Sequence, residues 1–183
     1  MTMGPALALL ELTSIARGVV VLDAMVKKAT VVVGDARSVS PGRYLVRVHG
    51  GVGEVEEAFL AGRAAAGEAL LDEVFLPDPH ASLEALLAGK RRKAARDSVG
   101  LVECYTSASA VKCVDAAAKA AEIEVTRLEL AMHLGGKGWF ELTGPLDMVE
   151  AALEAAGRAA TGGMLLGTEL IPAPHPDTGQ GLD

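Results

Sequence analysis

Apolar and polar positions along the chain change period in a regular order. Ala6 to Leu12 is a short, nearly continuous apolar run and predicts a strand. Thr13 and Ser14 follow, and their hydroxyls can accept bonds from the free N–H groups of a first helical turn. That helix runs to about Lys28, with Val19, Leu22 and Val26 on one face. Thr30 to Val33 is β-branched and predicts a strand. Ser38 to Gly42, with its Pro and Gly, predicts a loop. From Arg43 to His49 the chain alternates: Tyr44, Val46 and Val48 fall on one side, Arg43, Leu45, Arg47 and His49 on the other. Gly50-Gly51 turns the chain. Glu54 to Gly67 is an Ala-rich amphipathic helix with acids in its first turn, which suit its dipole. Ala69 to Leu76 is a last strand, ended by Pro77. The order is β-α-β-β-α-β, the ferredoxin-like, split-βαβ pattern.

The pattern then repeats. Laying Leu9-Leu10-Glu11 over Leu101-Val102-Glu103 brings Asp23-Ala24 onto Asp115-Ala116 and Lys27 onto Lys119. After short insertions in the second copy, Gly42 meets Gly136 and Gly50 meets Gly144. Val55-Glu56 meets Val149-Glu150, and Leu76-Pro77-Asp78-Pro79-His80 meets Ile171-Pro172-Ala173-Pro174-His175. Ala matches alone carry little weight in so Ala-rich a chain. The Asp, Lys, Gly and Pro-x-Pro-His matches, in order, predict a duplicated module. The fold class expected is α+β: two tandem βαββαβ domains in the same, unpermuted order. Their expected bounds are 1–80 and 98–183, the latter with a short C-terminal tail. A linker over 81–97 carries a short helix, Ala81 to Ala95, that crosses to the second domain.

Composition narrows the function. The 183 residues are 50% apolar but only 3% aromatic, so the core is built of Ala, Val and Leu. Few rings are available to stack on bases. The net charge of −7 argues against a general nucleic-acid binder, which needs clustered cations. One basic run, Lys90-Arg91-Arg92-Lys93 with Arg96, reads as a solvated linker helix because no aromatics interleave with it. Cys104 and Cys113 have neither zinc-knuckle nor redox CxxC spacing and are expected to be free thiols in a reducing cytoplasm. Nothing near the start reads as a signal peptide, and no apolar run reaches the ~20 residues that span a bilayer. Neither membrane nor nucleic acid is an expected partner.

The motifs, in their order and spacing, resemble the shell-protein domain of bacterial microcompartments, and the likeness covers nearly the whole chain, twice. The family's Asp-Ala-Met-Val-Lys stands as Asp23-Ala24-Met25-Val26-Lys27 and Asp115-Ala116-Ala117-Ala118-Lys119. Its Arg-Gly-Asp-Val-Gly appears as His49-Gly50-Gly51-Val52-Gly53 and Thr143-Gly144-Pro145-Leu146-Asp147. Its closing Ile-Pro-Arg-Pro-His becomes Leu76 to His80 and Ile171 to His175. The resemblance implies a non-enzymatic tile: a homotrimer of tandem domains, hence a pseudohexagon, packing beside hexameric single-domain tiles and pentameric vertex proteins in the shell. Lys27 and Lys119 match the family's edge lysine, and Asp78, His80 and His175 fall in the edge motif. Asp78 and Ala173 replace its arginine.

The resemblance also implies a central pore for small polar metabolites. Its lining falls at Val39, Ser40, Pro41 and Gly42 in the first copy and at His133, Leu134, Gly135 and Gly136 in the second. Pore polarity and width decide what passes. Neither loop carries a cysteine, so no iron–sulfur cluster is expected. His133 reads as a lone polar loop residue and not as a metal ligand, and no cofactor is expected. His49, at a strand end, is expected to be structural. The Gly-rich segments lack the full phosphate-loop patterns, and no Ser–His–Asp set or catalytic carboxylate pair is tied together by spacing. A different class of function also fits the order of elements: a tandem ferredoxin-like regulatory module that binds a small ligand between its domains.

Overall fold

The computed structural model describes residues 4–92 and 97–181. The first half runs β1 (Ala6–Leu12), α1 (Ile15–Lys28), β2 (Val32–Val39), β3 (Arg43–Gly50), α2 (Val52–Ala66) and β4 (Leu70–Leu76). A connector helix, α3 (Ser82–Leu87), follows. The second half repeats the order as β5 (Ser98–Cys104), α4 (Ser107–Ala120), β6 (Glu124–Leu130), β7 (Gly138–Gly144), α5 (Leu146–Ala159) and β8 (Leu165–Pro172). Each half forms one antiparallel four-stranded sheet, in the orders β2-β3-β1-β4 and β6-β7-β5-β8. These are the two ferredoxin-like units that the sequence predicts.

Local chemistry explains the starts and faces of these elements. Ser14 accepts from the Arg17 N–H and Thr106 from the Ser109 N–H, so both copies cap their first helix with a hydroxyl. In the first sheet Ala6, Ala8, Leu10 and Leu12 pack with Tyr44, Val46 and Val48 against α1 and α2. Burying each larger aliphatic side chain contributes about 1.5–3 kcal/mol. Gly18 lets α1 lie directly on the Tyr44 ring, because a Cβ there would come within 2.3 Å of it.

Three expectations are corrected. The inward face of α1 is Gly18, Val21 and Met25, whereas Val19 and Val26 are exposed and Leu22 is only partly buried. The second strand is longer and later than Thr30 to Val33, because its pairing with β3 continues to Val39 opposite Arg43. The connector helix spans only six residues. Beyond it the chain leaves the helix, and Arg92 N–H donates to the Thr126 carbonyl beside β6. Arg91 and Arg92 pair with Glu129 and Glu124, so this part of the basic run is non-helical and ion-paired. Lys93 and Arg96 lie outside the described residues.

The two halves share a core. Leu7, Leu9, Leu45, Val74 and Leu76, on the face of the first sheet away from α1, join Leu83 and Leu86 of α3 and the buried residues of α4. Helix α4 thus packs on its own sheet and on β4 and β1 of the first half. The layers run α1 and α2, first sheet, α4 and α5, second sheet. Among the described residues no helix covers the outward face of the second sheet.

Candidate functional site

The junction between the halves is built on Glu11, a carboxylate in an otherwise apolar strand. It is fully buried. Its Oε1 accepts from Arg43 Nη1 at 2.8 Å, and its Oε2 accepts from the Ser107 N–H at 2.7 Å, at the start of α4. The helix N-terminus supplies unpaired donors and a positive dipole end. Burial pushes the Glu11 carboxyl upward; the Arg43 and Ser107 bonds oppose this without overcoming it. Asp72 of β4 accepts from Ser109 Oγ at 2.6 Å and from the Thr106 hydroxyl. These contacts clamp α4 onto the first sheet. The sequence signal was present, since Glu11 and Glu103 align in the repeat, but their role needed the fold.

Arg43 also ties the two loops of the implied pore together. It starts β3, directly after Val39-Ser40-Pro41-Gly42, and donates to the Gly136 carbonyl at 3.1 Å. A Cβ on Gly136 would meet the guanidinium at 2.7 Å, and this residue has φ of 87°, so glycine is required twice over. Val39 is buried; Ser40, Pro41 and Gly42 are exposed. The Ser40–Pro41 peptide is cis. In the second loop His133 and Gly135 are exposed and Leu134 is partly so. Ala131 and His133 hold φ near 60°, a left-handed geometry that side chains disfavour.

The edge motifs meet once within the chain. Lys119 Nζ pairs with Asp115 at 2.6 Å and donates to the Asp78 carbonyl. Asp115 also accepts from the His80 N–H at 2.7 Å. The second half's Asp–Lys pair therefore grips the first half's Pro-x-Pro-His. Among the described residues the remaining pair is unjoined: Lys27 pairs with Asp23 on the exposed surface of α1, and His175 stands exposed near Asp177. His49 accepts from the Gly4 N–H at 3.3 Å, a structural role. Cys104 and Cys113 are free and buried with sulfurs 3.8 Å apart, on a strand and a helix respectively. Their hydrogen bond and burial hold the Cys113 thiol protonated.

Two surfaces have repeat counterparts that are covered. On α1, Ile15, Val19, Val20 and Val26 are exposed. The α4 residues aligned with Val19 and Leu22 are Val111 and Val114, both fully buried. On the second sheet, Leu101, Glu103, Trp139 and Glu169 line an open hollow of about 510 Å³. Glu103 stands where Glu11 stands in the first sheet, half-exposed and paired with Lys137 at 2.9 Å, as Glu11 is with Arg43.

Comparison with known proteins agrees with this architecture. The model of the BMC domain matches residues 6–79 and again 98–174. Bacterial microcompartment shell protein PduT of Citrobacter freundii is 35% identical over 174 residues, covering 94% of this chain and 95% of that one. A crystal structure of a microcompartments protein from Desulfitobacterium hafniense DCB superposes with a TM-score of 0.82 at 32% identity, covering 96% of this chain and 98% of that one. The fused permuted hexameric shell protein of the RMM microcompartment shares the fold, with a TM-score of 0.65 at 19% identity over 84% of this chain and 83% of that one. These relatives do not favour the regulatory-module reading. With two matched domains over most of its length, the chain belongs to the BMC-domain family.

Proposed function

We infer that the chain is a structural shell protein of a bacterial microcompartment, and we propose that it assembles as a head-to-tail trimer. Full-length similarity to a shell protein supports the first statement. One observation carries the second: the apolar stripe on α1 is exposed, while the aligned residues of α4 are buried against the first sheet. Seating α1 of one chain on the open second sheet of the next repeats the contact each chain already makes internally. Three chains of two domains then close a pseudohexagonal ring.

The register of that contact follows from the repeat. Glu103 takes the place of Glu11 and receives the N–H groups of Ile15 and Ala16 from the neighbouring chain. Lys137 takes the place of Arg43. Lys27 and Asp23 grip the neighbour's Ala173-Pro174-His175 as Lys119 and Asp115 grip Asp78-Pro79-His80. The edge motifs would thus first serve domain–domain contacts around the ring, and their exposed atoms would face adjacent tiles. The exposed parts of the two pore loops, residues 40–42 and 133–135, are held side by side by Arg43 and would line the axis and pass small polar metabolites, with Val39 and Gly136 buried behind them. Hexameric single-domain tiles and pentameric vertex proteins are the proposed neighbours in the shell. The membrane enters this reading nowhere: among the described residues no helix is long and apolar enough to cross one.

The test is native mass and negative-stain microscopy, with and without co-expressed single-domain tiles. The wild type should be a trimer that enters sheets or closed shells. V19E combined with V26E should keep its circular dichroism and yet run as a monomer. A monomeric wild type, or a trimer indifferent to both substitutions, would overturn the ring. For the pore, a bulky residue at Ser40 or Gly135 should reduce metabolite flux into assembled shells; unchanged flux would remove these loops from the lining.

A further inference from the structure

A second cavity, of about 310 Å³, lies inside one chain at the junction of its halves. Its floor is aliphatic: Leu9 and Leu45 of the first sheet, Leu86 of α3 and Leu128 of β6. Arginines 37 and 47 stand in its wall, with Asp35, Glu129 and His133. The two carboxylates are already engaged. Asp35 pairs with Arg37 at 2.8 Å, and Glu129 is held by Arg91 at 2.8 Å and by Arg127 at 2.6 Å. Arg47 differs. Its Nη2 donates to the Gly34 carbonyl at 3.1 Å, while its Nε is buried with no acceptor. Among the described residues no carboxylate makes a salt bridge with it. Arg47 lines the cavity without a salt bridge, and a carboxylate is the acceptor that matches a guanidinium's planar fork.

Arg47 also borders a smaller cavity of about 130 Å³, whose titratable lining is His49 and Glu84. Glu84 is exposed and makes no bond to Arg47 among the described residues. The second copy lacks this arrangement. The residues aligned with Asp35, Arg37 and Arg47 are Arg127, Glu129 and Glu141, so the charges there are reversed. An arginine without a salt bridge over an apolar floor therefore belongs to the first half, among the described residues.

We propose that this cavity binds a small aliphatic carboxylate, with its carboxylate on Arg47 and its chain on the leucine floor. Burial lowers the pKa of Arg47, the nearby charge of Asp35 opposes this without overcoming it, and a further anion in the cavity offsets more of that cost. The site lies within one chain, so it does not depend on the ring. Met132 and His133 form part of its wall and precede Leu134 in the second pore loop, so occupancy touches that loop directly.

Isothermal titration of the full chain with sodium butanoate tests this, with 1-butanol and inorganic phosphate as separate probes. Butanoate should bind saturably, one per chain, and more tightly than the alcohol or the inorganic anion. R47Q should weaken it by at least about tenfold, the loss expected for a hydrogen bond to a charged group. Filling the cavity with M132W should also abolish binding, and it gives an independent arm should R47Q fail to fold. Methyl NMR shifts centred on Leu9, Leu45, Leu86 and Leu128, with Met132 beside them, would support the site. Absence of saturable butanoate binding, equal binding by R47Q and M132W, or phosphate binding as tight as butanoate would overturn it.

Discussion

At the scale of single residues, Glu11 and Glu103 occupy one place in the repeat and should behave differently. Glu11 is fully buried and holds both Arg43 and the N-terminus of α4. Removing one partner of a buried pair strands the other, so E11A should cost about 3 kcal/mol in a urea melt. Glu103 is 44% exposed, and in dilute, monomeric chain E103A should cost less than about 1 kcal/mol. The order of the two losses is the test. A smaller effect is expected at His133, an exposed residue with φ of 59°. Glycine removes the left-handed penalty there, so H133G should stabilise the chain by about 1 kcal/mol. Glu129 gives a pH dependence. Burial raises its carboxyl, but Arg127 and Arg91 outweigh that and hold it below the ordinary range. A carboxyl depressed in the folded state stabilises above its unfolded value. Its contribution should therefore be lost as pH falls from about 4.3 through the folded pKa. E129Q should flatten this part of the stability–pH curve.

At the scale of elements, the apolar patterning carried most of the information. The alternation of Tyr44, Val46 and Val48 identified the inner face of β3, and Ser14 marked the start of α1. Helix α1 shows where patterning stops. It carries two apolar stripes, and periodicity alone cannot say which faces its own sheet. Gly18 resolves it, because only a residue without a side chain fits over the Tyr44 ring. G18A should destabilise by roughly 1–3 kcal/mol despite alanine's better helix propensity, through overpacking of that ring. The end of β2 was hidden for a different reason. Ser38 and Val39 pair with Tyr44 and Arg43, and this cross-strand partnership leaves no trace in local composition. The loops implied as pore lining were legible only through the family resemblance. Their proximity depends on Arg43, a contact between residues far apart in sequence.

At the scale of the whole molecule, the layering leaves one sheet face open, and the only tryptophan reports on it. Trp139 lies in the hollow of the second sheet under the Arg127 guanidinium, 4.8 Å from the ring centroid. Closing the proposed ring covers that hollow with a neighbour's α1. Diluting the protein through trimer dissociation should therefore shift Trp139 emission to longer wavelength, in step with the mass measured by light scattering. A dissociation that leaves the emission unmoved would place the interface elsewhere.

The clamp of α4 on the first sheet has a kinetic consequence for assembly. Half of the domain contacts in the proposed ring are closed before any two chains meet, because Glu11, Arg43 and Asp72 join the halves within the chain. Tethering replaces collision frequency by a fixed local concentration, in the millimolar range for short linkers. Assembly then needs two encounters between separate bodies where six separate domains would need five, and in each case the last contact closes within the assembled ring. Ring formation should accordingly follow the third power of chain concentration at most. The two kinds of contact also become separable under mutation: damage inside the chain appears as unfolding, and damage between chains appears as dilution-sensitive dissociation.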